Sequence, residues 1–248
     1  MATPKIVLFD LPSREPAHAW SWNTWKTRLF LNYKGLDYET EWLEYPEIKP
    51  RLQPQADRSD DASSLPDNKA FTVPAIKLPD GTYIMDSWVI AQELDRRCPS
   101  PNLPLDSPPQ QKYIDLLDPT VTALRPEIVQ YVPSRLLNEV NLDFWDVTRS
   151  ARYGMPLEQF VRENGGEKAY KVASPYLQEM TAMLKENKKG VFFMGDTISY
   201  VDFVHAGFLI MFRRLGSDVF QQLLQATGEP DVHLKFLEAL KPWIEKDN

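Results

Sequence analysis

Cysteine is almost missing. Cys98 is the single one in 248 residues, so no internal disulfide can form, and a chain without disulfides suits a reducing compartment. Histidine is scarce too. His18, His205 and His233 lie far apart, with none of the paired His or Cys spacing that zinc sites use, so nothing argues for a metal centre. There are only 10 glycines, and none builds a glycine-rich phosphate loop. No run approaches the roughly 20 apolar residues of a membrane span. The opening MATPKIVLFDLPSREP has too short an apolar run for a signal peptide. The closing EKDN matches no lipidation or retention tail, so the expected location is the cytosol. Positive charge is in deficit as well: the net charge of −7 disfavours nucleic acid and anionic membranes as general partners.

What the chain has is a globular balance of 43% hydrophobic and 25% charged residues, and enough length for one large domain or two ordinary ones. KIVLFDL at 5–11 reads as a buried strand. Trp25, Leu29, Phe30 and Tyr33 fall at helical spacing over 23–33, and Gly35 suits the stop. YETEWLEY at 38–45 alternates like a second strand. Residues 46–70, rich in proline, aspartate and serine, read as a long loop with at most one helical turn. Pro79-Asp80-Gly81 marks a hairpin between strands at 75–78 and 82–86, because proline presets φ and glycine accepts positive φ. A helix follows from Ser87 to Arg97. Residues 98–109 hold five of the 21 prolines and read as a stiff linker. Beyond it, 110–137, 166–186, 200–215 and 231–246 read as helices. The expected architecture is therefore a thioredoxin-like α/β domain over 1–97, a linker over 98–109 and an all-helical domain over 110–248.

Thr72-Val73-Pro74 is the most informative stretch. A proline just ahead of a strand donates no ladder hydrogen bond, and a cis bond there would turn the preceding residue's N–H and C=O outward, offering a strand edge to a peptide-like ligand. Farther on, Asp86-Ser87 stands where a helix begins, a corner suited to a carboxylate. Together they suggest a small peptide held by its backbone and its terminal carboxylate.

The whole pattern resembles a cytosolic glutathione transferase. Four local matches carry the resemblance: Ser21-Trp22-Asn23-Thr24-Trp25 between the first strand and the first helix, Val73-Pro74, Asp86-Ser87, and the run Gly195-Asp196-Thr197-Ile198-Ser199-Tyr200-Val201-Asp202. The stretch from Ser21 to Pro50 is similar to the fungal-specific class A transferases, which are related to bacterial β-etherases. That class usually has proline where this chain has Trp22. The resemblance implies glutathione as co-substrate, a thiol-activating residue near Ser21, a cis-proline at Pro74, a γ-glutamyl contact at Asp86-Ser87, and a homodimer.

Ionising a thiol of pKa roughly 8.5 near neutrality takes donors at the sulfur and the positive end of a helix dipole. Ser21 and Asn23 both precede or open the first helix, and either can donate to the thiol or simply cap the helix. Val73 would exchange backbone hydrogen bonds with the cysteinyl unit, an edge-strand contact. Ser87 would receive the α-carboxylate, and Asp86 the α-ammonium while also capping its helix. Lys49 or Lys69 would reach the glycyl carboxylate. Ser199 and Asp202 have capping-box spacing and a structural role. Cys98 lies far from the expected nucleophile position. Trp20 and Trp22, with Tyr113, Tyr131, Phe144, Trp145 or Tyr153 opposite, would form an apolar cleft for flat phenolic or aromatic molecules.

The expected function is a glutathione transferase acting on hydrophobic aromatic electrophiles or peroxides. A carrier of hydrophobic aromatics with little turnover, or a glutathione-dependent ether-cleaving enzyme, remains open at this point.

Overall fold

The computed structural model describes residues 5–15, 18–56 and 71–247. The first half runs β1 (Ile6–Asp10), α1 (Trp22–Lys34), β2 (Tyr38–Trp42), α2 (Tyr45–Ala56), β3 (Ala75–Lys77), β4 (Tyr83–Met85) and α3 (Ser87–Arg97). The four strands form one sheet in the order β2-β1-β3-β4. β1 and β2 run parallel, and the two remaining pairings are antiparallel. This is the thioredoxin-like arrangement. α1 packs its buried Trp25, Leu29 and Phe30 inward and stops at Gly35, whose φ of 65° is the left-handed conformation glycine takes without strain.

α2 corrects the sequence reading of a loop over 46–56; the rest of that stretch, 57–70, lies outside the described residues. The prolines of α2 fall at 46, 50 and 54, four apart, and all three are exposed. The hydrogen bonds that Pro50 and Pro54 cannot make are therefore lost on a side where water can satisfy the freed carbonyls. On the other side Ile48 and Leu52 are buried. Lys69 lies outside the described residues.

The segment after α3 has no helix or strand until α4 (Pro108–Arg135), which opens on Pro108-Pro109 inside the stretch read as linker. Leu103 is buried, and the Pro104 carbonyl accepts from the Tyr200 N–H at 3.0 Å. A 3-10 turn (Glu139–Asn141) leads to α5 (Leu142–Tyr153) and α6 (Leu157–Asn164), both absent from the sequence reading. α7 (Glu167–Glu186), α8 (Tyr200–Leu215), α9 (Ser217–Ala226), α10 (Pro230–Ala239) and α11 (Lys241–Ile244) complete the helical half. α9 was not expected, and the single helix expected over 231–246 breaks ahead of Pro242.

α8 is the core of that half. Every residue from Tyr200 to Phe212 is buried, the mark of a helix surrounded on all sides. Asp202 accepts from the Ser199 N–H and hydroxyl, each at 2.8 Å, and from the Phe193 N–H at 3.0 Å. The Ser199–Asp202 pair is thus the structural cap its spacing suggested. No helix among the described residues is long and apolar enough to cross a membrane.

Candidate active site

Sheet register brings the separate sequence matches to one end. Phe9 near the end of β1 pairs with Ala75 at the start of β3, and Ala75 pairs with Met85 at the end of β4. The loop carrying Ser21 leaves β1 there, Val73-Pro74 enters β3 there, and Asp86-Ser87 leaves β4 there. β2 is parallel to β1 with Asp10 opposite Trp42, so α2, which carries Lys49, starts at the same end.

Ser21 occupies the N-cap position of α1 but does not cap: its side chain makes no cap hydrogen bond. Thr24 donates back to the Ser21 carbonyl at 3.0 Å. The Ser21 hydroxyl is therefore largely buried, uncommitted to any other described residue, and placed at the positive end of a 13-residue helix. Asn23 lies within the first turn, exposed. Trp22, where the fungal class has proline, opens the helix without disrupting it. Its ring meets Phe208 edge-on at 6.4 Å.

The Val73–Pro74 bond is cis. Val73 makes no backbone hydrogen bond to another described residue. Asp86 is the single non-glycine residue at positive φ among those described, at 80°, a strained conformation for an L-residue. Its Oδ1 accepts from the Trp88 and Val89 N–H groups at 2.8 and 3.2 Å, so it caps α3 as foreseen. Ser87 is buried beside it. Lys49 is exposed on α2.

Two neighbours escaped the sequence reading. Lys26 sits on α1 with its ammonium 5.1 Å from the centre of the Trp22 ring. Burial pulls it down to about 8, and the Asp86 carboxylate partly offsets that. Tyr200, noticed only as part of the capping motif, packs edge-on against Trp88 at 5.1 Å. Burial pushes its phenol up, with the Ser87 hydroxyl acting in the opposite direction. Its hydroxyl lies near Ser87 without a bond of ordinary geometry. Neither residue was marked by the sequence, because the approach of Lys26 to Asp86 and of Tyr200 to Trp88 joins elements distant in the chain.

The expected aromatic cleft is not assembled as foreseen. Trp20 is buried and donates to the Pro12 carbonyl at 3.0 Å. Tyr113 is core, bonded to His205 at 2.8 Å. Tyr131 lies under the Arg135 guanidinium, and Tyr153 stacks on Phe160 at 4.0 Å. Phe144 and Trp145 instead pack on Tyr45 of α2, each with ring centres 5.7 Å away. His18 is held near Asp247 at 3.3 Å. Cys98 ends α3, and nothing groups histidines, cysteines or carboxylates for a metal among the described residues.

Comparison with known proteins agrees with this geometry. The glutathione S-transferase N-terminal domain model matches residues 20–97, and the C-terminal domain model matches residues 110–243. The glutathione S-transferase-like protein ustS of Aspergillus flavus is 27% identical, over 87% of this chain and 83% of its own length. Glutathione transferase GSTFuA3 of Phanerochaete chrysosporium superposes with a TM-score of 0.79 at 25% identity, covering 98% of both chains. CsGST63524 of Ceriporiopsis subvermispora, solved in complex with glutathione, gives a TM-score of 0.79 at 28% identity over 96% of this chain and 97% of its own. With both domain models matched in order across most of its length, the chain belongs to the glutathione S-transferase family and is a glutathione-dependent transferase.

Proposed function

We propose that the chain activates the glutathione thiol with the Ser21 hydroxyl and directs it at hydrophobic aromatic electrophiles or peroxides. The observation that carries this reading is the Ser21 side chain, at an N-cap yet making no cap bond. A serine at this position normally turns its oxygen to accept from a helix N–H; here no helix N–H holds the side chain, so its O–H can turn to donate to a ligand. The α1 dipole adds a favourable potential for the thiolate. Glutathione lies with its cysteinyl backbone along Val73, its γ-glutamyl carboxylate on the Ser87 N–H and hydroxyl, and its α-ammonium toward Asp86. Asn23 is close enough in sequence to assist at the sulfur, and Lys49 extends toward the glycyl end.

A hydrogen bond to a charged acceptor contributes about 1.5–3 kcal/mol, which corresponds to roughly one to two pKa units of the thiol. The test is an ultraviolet titration of the thiolate in the glutathione complex of wild type and Ser21→Ala. Wild type should ionise one to two units below the roughly 8.5 of a free thiol. Ser21→Ala should return toward that value, with kcat/KM at neutral pH lower by about 10- to 100-fold and glutathione still bound. An unchanged thiol pKa in Ser21→Ala, with the loss appearing in Asn23→Ala instead, would transfer the role to Asn23.

A further inference from the structure

Tyr200 is the first residue of α8, one position after the Ser199 cap, and its hydroxyl has no part in that cap. Its backbone N–H donates to the Pro104 carbonyl at 3.0 Å. Its ring stands edge-on to Trp88 with centres 5.1 Å apart. These contacts fix the ring against the start of α3, where Ser87 stands. Tyr200 is 3% exposed, yet its hydroxyl is buried without a hydrogen-bond partner. The Ser87 hydroxyl faces it, short of ordinary bond geometry. A buried hydroxyl in that state costs stability, and this one lies beside a serine assigned to the ligand.

A serine hydroxyl has one proton and two lone pairs. When the proton goes to a carboxylate, the lone pairs are left to accept from the protein side. Asp86 cannot be the donor: its Oδ1 accepts from the Trp88 and Val89 N–H groups, and an ionised carboxylate donates nothing. Tyr200 can. Burial pushes its phenol up, so it keeps its proton through the neutral range. A donor on the Ser87 oxygen polarises the Ser87 O–H and strengthens the bond that O–H makes to an anion.

We propose that Tyr200 is a positioning residue for glutathione: its O–H donates to the Ser87 hydroxyl and so turns the Ser87 proton onto the γ-glutamyl α-carboxylate. This role rests on the placing of that carboxylate at Ser87 and is independent of the role given to Ser21. A residue of the helical half thereby takes part in recognising a ligand held by the first.

The test titrates glutathione by calorimetry into the full chain as wild type, Tyr200→Phe, Ser87→Ala and the double variant, and melts each without ligand. Ser87→Ala loses a bond to a charged acceptor and should weaken binding about ten-fold or more. Tyr200→Phe removes one oxygen and keeps the ring. It should weaken binding about three- to ten-fold in the wild-type background and not at all in Ser87→Ala, the signature of two groups acting through one bond. The loss should appear in KM for glutathione rather than in kcat, with the thiol pKa of the complex unchanged. Without ligand, Tyr200→Phe should melt no lower than wild type, since the hydroxyl it removes is unpaired. A packing role would instead lower the melting temperature and weaken binding equally in both backgrounds, and that result overturns the proposal. So does an unchanged affinity in Tyr200→Phe while Ser87→Ala binds weakly. Ser87→Ala binding as wild type does would overturn the placing of the α-carboxylate itself, and the role of Tyr200 with it.

Discussion

Asp10 and Arg28 place two full charges where water does not reach. Both side chains are completely buried, 2.9 Å apart. Asp10 also accepts from the Leu11 N–H at 2.7 Å, and the guanidinium donates to Thr40 at 3.2 Å and packs near the Tyr38 and Trp42 rings. The pair thus fastens α1 to β1 and β2 directly beneath the loop that carries Ser21. Removing one member leaves the other charged and uncompensated, which costs about 3–5 kcal/mol. Asp10→Ala should lose that much in urea unfolding. Asp10→Leu combined with Arg28→Met should regain most of it, because an apolar pair of similar volume faces no desolvation penalty. A double variant no more stable than Asp10→Ala would show that the contacts to β2, not the charge pairing, hold the site floor. None of this was legible in the sequence: an aspartate in a strand and an arginine in a helix carry no mark of burial. Ser21, Val73-Pro74 and Asp86-Ser87 were legible because each combines a residue type with a boundary, and boundaries follow from local pattern.

Elements show the same division. α3, α4 and α7 were readable because each buries a regular stripe, and α1 and α8 because apolar residues at helical spacing run through segments buried nearly all round. α5 and α6 were not. α5 buries only Trp145 and α6 buries no residue fully, and Gly154, Pro156 and Gly165 cut the segment into pieces of 12 and 8 residues, marginal lengths for an isolated helix. α2 was hidden by prolines whose common exposed side only the fold reveals. α9 carried a usable stripe at Val219, Phe220, Leu223 and Leu224 that the sequence reading passed over. The most consequential contact between elements is α1 on α8 at Gly207. A Cβ there would stand 2.9 Å from the Trp22 carbonyl oxygen and 3.3 Å from the Trp25 Cβ, so backbone must move. Ala gains about 1 kcal/mol of helix propensity over Gly, while overpacking costs about 1–3 kcal/mol. The strain should win. Gly207→Ala is expected to melt lower by thermal denaturation and, because the displaced backbone is the first turn of α1, to raise the thiol pKa in the glutathione complex. A variant at least as stable as wild type would mean that the two helices separate without cost.

At the scale of the whole molecule, one buried chain of hydrogen bonds ties four helices of the second half together. Tyr113 on α4 meets His205 Nδ1 at 2.8 Å, His205 Nε2 meets His233 Nδ1 at 3.0 Å, and His233 Nε2 meets Thr181 Oγ1 at 2.9 Å. Thr181 spends its single proton on the Leu177 or Thr227 carbonyl, so His233 must donate to it from Nε2 and accept at Nδ1. The same logic passes to His205, and both rings are neutral with the proton on Nε2. Burial holds His233 down to about 4 and His205 well below its ordinary value. Their stability contribution is thus complete above the unfolded pKa of roughly 6.5 and is lost as pH falls toward 4, at up to about 1.4 kcal/mol per pH unit for each ring. Asp202 acts in the opposite sense. Burial raises it to about 6, so the folded state gains from its protonation as pH falls below that value. Burial raises Glu127 as well, in the same sense as Asp202. Two histidines against these carboxylates leave a net loss of up to about 1.4 kcal/mol per unit between pH 6 and 5. The exposed carboxylates of Asp80, Glu93 and Asp218, held near 2 by their arginine partners, act at lower pH and do not enter this window. Urea unfolding at pH 6.5, 6.0, 5.5 and 5.0 should therefore show stability falling with pH. His233→Gln, which cannot take up the proton, should remove about one group's share of the slope and flatten the profile between pH 6 and 5. A wild-type profile already flat there, or a variant as steep as wild type, would mean that the rings can be protonated inside the folded protein and that the chain of hydrogen bonds does not enforce their neutral form.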